Sequence, residues 1–356
     1  RRRSSEPCGD GSVVQRVVVA RASTGRRVAR ALAGFIGLGL VSALAAGFFG
    51  HWHPALDSFA HLRMHLAVLA VLCGAILMAV RRFDVGAVLL VAAGTAAFLT
   101  WQGVALQAPD RRLAAQPPPG DRATYRLLHL NLRYNNPSPE KVLSLIGRTQ
   151  PDIVSLTEVS DMWRERLEVI AHAYPHRIVC PPPSRIGGVA MLSRRPFAEG
   201  SEPACHERGA LAVARIDLSG EAINVAALHI GWPWPFDQPA ALPRVTRHLA
   251  RLRGPGIVAG DFNAAPWSWT VRSIAQETGF RTVEGAGPTW LFLSAPHWLR
   301  RHIGLPIDHL MAKRGVIPHA IERRGDAGSD HLPILMEFSV APSEPRREVL
   351  RADLAW

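Results

Sequence analysis

The sequence predicts an α+β domain preceded by three apolar helices, each long enough to cross a membrane. Three observations lead there. Three apolar stretches lie between residues 31 and 106 of the 356, a proline-rich segment follows, and short strand patterns then alternate with helical ones.

Residues 1–30 form a basic leader in which eight arginines face only Glu6 and Asp10. Ala31 to Gly50 is apolar and uncharged, Leu62 to Val80 is apolar apart from Arg63 and His65 near its start, and Val85 to Leu106 carries no charge. Each stretch is near the ~20 residues that cross the hydrocarbon core, and none shows the apolar stripe of a soluble helix. Membrane helices are therefore predicted at about 31–50, 62–80 and 85–106, in preference to a buried helical hairpin. A secretory signal peptide is the rival reading of the first span; two further spans and the lack of a clear cleavage site count against it. The chain opens on Arg1 rather than Met, so a start further upstream is expected.

Arginines set the orientation. The leader and the pair Arg81 and Arg82 are basic, whereas His51 to His61 has no Lys or Arg. Basic segments stay in the cytoplasm, which puts the N-terminus inside and everything after the third span outside. Arg111 and Arg112 run counter to this and are outnumbered. The expected location is the cell (inner or plasma) membrane, multi-pass. The formal net charge of +12 loses half its weight once the leader is set aside, so the globular part neither demands nor excludes a polyanion.

Gln107 to Gly120 is polar and proline-rich and reads as a linker, taken to span 107–122. A globular domain then covers 123–340, with a polar tail over 341–356. Of four cysteines, Cys180 and Cys205 fall in this domain, on the oxidising side. A disulfide between them is compatible with that side, and two buried free thiols are the preferred reading.

Within the domain, strands are read at Arg126 to Leu130 and Ile153 to Leu156, and helices at Pro139 to Thr149 and Asp161 to Ala173. Strands at His176 to Val179, Gly188 to Ser193, Leu211 to Leu218 and Ala222 to Leu228 follow with short turns, as in an antiparallel sheet. A helix from about Pro239 to Leu252, a strand ending at Gly260, a helix from Ser268 to Glu277 and a last strand from Leu332 to Phe338 complete the reading. Two sheets packed face to face between helices would bury such apolar strands on both sides.

Polar residues recur where these strands end: Asn131, Glu158, His229, Asp261 with Asn263, Asp308 after Leu305-Pro306-Ile307, and Ser329-Asp330-His331. Asp261 and Asn263, two apart after an apolar strand, would point the same way, although an ordinary turn accounts for them equally well. Singly, each has a bland reading as a turn residue, cap or core histidine. Jointly they suggest a site.

In this setting the chain resembles the endonuclease/exonuclease/phosphatase superfamily. The matching pieces are His129-Leu130-Asn131, Leu156-Thr157-Glu158, Gly188 to Ser193, Leu228-His229, Gly260-Asp261-Phe262-Asn263, Ile307-Asp308-His309 and Ser329-Asp330-His331. The resemblance implies a four-layer α/β/β/α sandwich and hydrolysis of phosphoric esters with Mg²⁺ or Mn²⁺, hard cations that suit oxygen ligands. By position it implies Glu158 as principal metal ligand, with Asn131 as a further ligand or phosphate contact and Asp330 as a second metal-site or orienting acid. Asp261 would orient or deprotonate the attacking water, and Asn263 would hold the phosphate. His331, steadied by Asp308, would stabilise charge, and His229 would protonate the leaving group or bind phosphate. His309 is read as structural.

Substrate class is suggested by other segments: Trp232 to Phe236, Trp267 and Trp269, Trp290 to Leu293, and Trp298 to Ile303 with its arginines. Such clusters suit a bilayer interface, and equally the packing of a large domain or stacking on bases. The spans favour a phospholipid or polyprenyl-phosphate-type substrate, in a layout similar to the membrane-bound subgroup associated with glycopeptide (teicoplanin) resistance. A surface nuclease acting on DNA or RNA is the second expectation and a non-catalytic membrane adaptor the third. Nothing in the sequence points to a protein partner.

Overall fold

The computed structural model describes residues 11–106, 112–113, 116, 120, 122–182 and 184–342. Helix α1, Gly11–Ala46, is 36 residues long and starts inside the basic leader, well before the predicted residue 31. The supposed loop after it holds a short helix, α2 (Pro54–His61). The second expected span is helix α3 (Arg63–Ala79), only 17 residues long, and the third is α4 (Phe83–Leu106). Two helices, α1 and α4, are long and apolar enough to cross a membrane; α2 and α3, bent by 64° at their junction, make a third only if counted as one broken span. Small residues let α3 and α4 approach closely, with Gly74 facing the backbone of Gly86. Leu44, Ala67, Leu89 and Ala93 fill the centre of this bundle. Arg63, buried at its end, donates to the carbonyl of Gly47 and lies over the Phe48 ring.

The globular part contains β1 (Arg112–Leu113), β2 (Tyr125–Asn131), α5 (Pro139–Thr149), β3 (Ile153–Val159), α6 (Asp161–Leu167), β4 (His176–Val179), β5 (Gly188–Ser193), β6 (Ala204–His206), β7 (Leu211–Leu218) and β8 (Glu221–His229). It continues with α7 (Gln238–Ala250), β9 (Gly256–Asp261), α8 (Trp269–Thr278), β10 (Arg281–Val283), α9 (His297–Ile303), β11 (Asp308–Ala312), β12 (Val316–Arg323) and β13 (Ile334–Val340). Strands form a seven-stranded sheet, β1-β10-β11-β9-β8-β7-β6, and a six-stranded sheet, β12-β13-β2-β3-β5-β4. The run read as one antiparallel sheet is thus divided, with β4 and β5 in the second sheet and β7 and β8 in the first. β1, and Gln116 bonded to the Pro318 carbonyl, bring part of the expected linker onto the domain. The helix expected as far as Ala173 ends at Leu167 and passes into a short 3₁₀ turn, Glu168–Ile170.

Four layers follow from strand alternation. Leu127, Ile153, Met191, Ile334, Met336 and Phe338 of the smaller sheet meet Ile216, Val225, Ala227, Ile257, Ala259 and Leu310 of the larger one. On the outside, Leu128, Val154 and Leu156 pack on Ile146 of α5 and Trp163 of α6, while Ala226 and Val258 pack on Leu249 of α7 and Ile274 of α8. Each half is organised around a parallel pair, β2 with β3 and β8 with β9, whose intervening helix is α5 or α7. Cys180 and Cys205 form a disulfide, correcting the preferred reading of two free thiols; they are 25 residues apart and become neighbours only when the two sheets pack together.

Candidate active site

Residues that alternate into the gap between the sheets are apolar along most of each strand and polar at one end. On β2 the inward series is Tyr125, Leu127, His129, Asn131; on β8 it ends in His229, on β9 in Asp261, and on β11 it begins with Asp308. Asp308 opens its strand rather than closing one. Because β11 runs antiparallel to β9, it still lands opposite Asp261, and His229 pairs with Asp261 from the other side. Likewise β13 is antiparallel to β2, so the Ser329-Asp330-His331 segment before it reaches the same end. Gly260 serves this row, since a Cβ there would collide with the Leu228 carbonyl.

Asp308 is the centre of a buried relay. Its Oδ1 accepts from His129 Nε2 at 3.1 Å and its Oδ2 from His331 Nδ1 at 2.8 Å. Burial disfavours the imidazolium of His331, yet the carboxylates of Asp308, Asp261 and Asp330 outweigh it and raise its pKa to about 10. Burial by itself would raise Asp308; the two histidines hold it well below the usual carboxylate range. Nε2 of His331 and of His229 lie 3.7 and 3.8 Å from Asp261 Oδ2. Asp261 is pushed up by burial, with His331 pulling the other way and Asp308 adding to the rise.

Asn131 links this relay to Glu158. Its Nδ2 lies 2.9 Å from Asp261 Oδ2 and 3.0 Å from Glu158 Oε1, and its Oδ1 accepts from the Arg133 amide. Simple alternation would turn Glu158 away from the gap. A register shift between Leu156 and Val159, with φ of 58° at Glu158, re-aims it, and its Oε2 accepts from Tyr134 N at 2.9 Å.

One expectation needs correction. Asn263 is not a strand residue pointing alongside Asp261: its φ is 46°, its amide donates to Asp261 Oδ1 at 2.8 Å, and its Nδ2 donates to the Ile230 carbonyl. The turn and the site are the same structure. Asp330, expected as a second metal-site or orienting acid, accepts from Trp290 Nε1 through its Oδ2. His309 points outward to the Ala264 carbonyl and packs on Phe262, as a structural residue would.

Sequence reasoning assigned no role to His129 or Ser329, and it counted Arg300 among the arginines of an interfacial cluster. His129 shares the inward face with Asn131, a signal that spacing alone carries. Ser329 Oγ donates to the Asn131 carbonyl and accepts from His331 N, so it ties the His331 segment to the end of β2 within the smaller sheet. Arg300 is buried and donates to the Ser329 carbonyl, so it is not the surface arginine that its sequence neighbours suggest.

A divalent cation fits this donor set. Among the described residues, Asp261, Asp308 and His331 are a group of ligand-type side chains with donor atoms within 4.8 Å of one another. Both oxygens of Asp308 and Nδ1 of His331 are already engaged in hydrogen bonds. Glu158 and Asp261 also accept hydrogen bonds on both oxygens, and they converge on the single amide nitrogen of Asn131, which concentrates negative charge among hard oxygen donors.

The sequence model of the Endonuclease/Exonuclease/phosphatase family matches residues 128–331. Among solved structures the chain is similar to an endonuclease/exonuclease/phosphatase from Bacteroides vulgatus (17% identity, 62% of this chain and 100% of that one, TM-score 0.50). It is also similar to one from Beutenbergia cavernae DSM 12333 (22%, 62% and 72%, TM-score 0.47) and to D. rerio TDP2 humanized by 14 mutations (18%, 61% and 99%, TM-score 0.49). No curated protein matches the chain. Since the matched residues make up more than half of the sequence and include every residue of the relay, the chain belongs to the Endonuclease/Exonuclease/phosphatase family of metal-using phosphoester hydrolases.

Proposed function

We propose that the protein is a membrane-anchored hydrolase acting outside the cytoplasm on a phosphate or pyrophosphate ester carried by a lipid. The observation that carries this reading is the attachment of the catalytic loop to the apolar helices. Asp57 of α2 accepts from the backbone amides of Trp269 and Thr270, His61 Nδ1 accepts from Ala265 N at 3.0 Å, and the Ala60 carbonyl accepts from Trp267 Nε1 at 2.6 Å. All four partners lie within seven residues of Asn263. The domain is therefore docked on α2 and the start of α3 rather than hung from a linker. α2 lies in the segment, His51 to His61, that the arginine rule assigns to the outside.

Exposed aromatic rings surround the same region. Trp232, Trp234, Phe236, Phe292 and Trp298 are exposed, and the Trp234 carbonyl accepts from Ser58 of α2. Rings of this kind suit the level of lipid headgroups. The disulfide supports an oxidising compartment. The layout resembles that of the membrane-bound subgroup associated with glycopeptide resistance.

The chemistry assigned to the site is in-line hydrolysis. Mg²⁺ or Mn²⁺, held by Glu158 and Asn131, would neutralise phosphoryl charge. Asp261, raised by burial, takes a proton from the attacking water as its oxygen bonds to phosphorus. The imidazolium of His331, fixed by Asp308, stabilises the charge gathering on the non-bridging oxygens. As the phosphorus–oxygen ester bond breaks, His229 protonates the departing oxygen, leaving an alcohol or a phosphate.

A substrate panel tests this. Full-length protein with Mg²⁺ is expected to release phosphate from an isoprenyl pyrophosphate and to leave plasmid DNA intact. Plasmid cleavage without phosphate release overturns the lipid reading and favours the nuclease. A green-fluorescent fusion at the C-terminus should stay dark outside the cytoplasm, and cytoplasmic fluorescence contradicts the topology.

A further inference from the structure

A groove of about 720 Å³ runs between α3 and the catalytic domain, within the size range of ligand sites. One wall is a single stripe of α3. Met64, Val68 and Leu72 recur every four residues with Leu69 beside them, and all four are exposed. The helix uses its other face, Ala67, Ala70 and Gly74, for the bundle. At 1.5 Å per residue the stripe descends about 12 Å along the helix. Opposite it stand Trp267 and Ile303 of the catalytic domain.

Both walls are pinned at the mouth. His65 Nε2 donates to the Ile303 carbonyl at 2.6 Å, and Trp267 donates to the Ala60 carbonyl. The far end reaches Asp308 and His309, and Asp308 is the residue that holds His331. One residue thus lines the groove and belongs to the catalytic relay.

We propose that this groove is the track for the hydrocarbon chain of the substrate, so that the enzyme selects a phosphate ester by the length of the apolar chain attached to it. This rests on the reading of the site as a lipid-phosphate hydrolase with α3 in the bilayer. A chain lying along the α3 stripe stays among apolar groups while its phosphate is drawn to the site. Without such a track, each methylene pulled into water would weaken binding about fourfold. The groove's continuity with the membrane helix argues for a lipid chain as occupant.

Two measurements on full-length protein in phosphatidylcholine nanodiscs test it. Val68→Trp and Ile303→Trp narrow the groove at exposed positions outside the relay. Each is expected to lower the ratio of kcat/KM for a long-chain over a short-chain isoprenyl pyrophosphate by about tenfold; an unchanged ratio overturns the proposal. The second measurement needs no turnover. A long-chain alkyl phosphate with a mid-chain diazirine, photolysed on Asp261→Asn protein, should label residues 64–72 or 284–306 and be displaced by unlabelled long-chain alkyl phosphate. Labelling confined to α1 and α4, or equal labelling by a diazirine phosphatidylcholine, overturns it. If wild-type protein hydrolyses neither pyrophosphate, the functional reading fails, while the labelling still decides the groove.

Discussion

Asp308 Oδ2 and His331 Nδ1 share a 2.8 Å hydrogen bond that joins the larger sheet to the segment leading into β13 of the smaller one. The bond fixes the imidazole and favours its charged form. Removing the carboxylate charge with Asp308→Asn should lower kcat by about 10²–10⁴-fold. It should also shift the alkaline limb of the pH–rate profile from near the His331 pKa of about 10 down toward 6.5. An alkaline limb that stays in place in the variant would show that His331 does not act as a cation.

Asp57 acts as a cap supplied by one helix to another. Its carboxylate takes the first two amides of α8 and the Thr270 hydroxyl while almost fully buried. Asp57→Ala should cost about 1–3 kcal/mol, because it leaves buried donors without an acceptor at a helix N-terminus. Thermal unfolding of the detergent-solubilised protein measures this, and Asp57→Asn should recover part of the loss.

Acid should unfold the domain partly through His309. Burial lowers its pKa from 6.5 to about 4. The folded form therefore stays neutral where the unfolded chain already binds a proton, so the stabilisation is complete above pH 6.5 and is lost as pH falls toward 4. The effect is up to about 3 kcal/mol. His309→Met should flatten the stability profile over that window. His331 has the opposite sign, stabilising below its unfolded pKa of 6.5 and ceasing to do so as pH rises through about 10.

The legible parts of this chain were those set by local pattern. Strand alternation and apolar spacing give Pro139–Thr149, His176–Val179, Gly188–Ser193 and Leu211–Leu218 to the residue. The polar ends of β2, β8 and β9 could be read from the same alternation. Features that depend on tertiary contact were hidden. The aim of Glu158 comes from a bulge, the Cys180–Cys205 bond from the packing of two sheets, and the docking of α2 from Asp57 meeting a helix more than 200 residues away. Arg300 was misplaced for the same reason: its sequence neighbours are exposed, and its own burial is decided by the Ser329 loop.

Reducing the disulfide should destabilise the domain by about 3 kcal/mol, from the entropy of a loop whose ends are 25 residues apart. Urea midpoints with and without reductant measure it, and the Cys180→Ala, Cys205→Ala double variant should match the reduced wild type.

The most direct test of the central assignment is the turnover number for phosphate release from a long-chain isoprenyl pyrophosphate, comparing wild type with Asp261→Ala under Mg²⁺. The account predicts measurable turnover in the wild type, lost on chelation and restored by Mg²⁺ or Mn²⁺, and a drop of about 10²-fold or more in the variant. Full turnover in Asp261→Ala would contradict it.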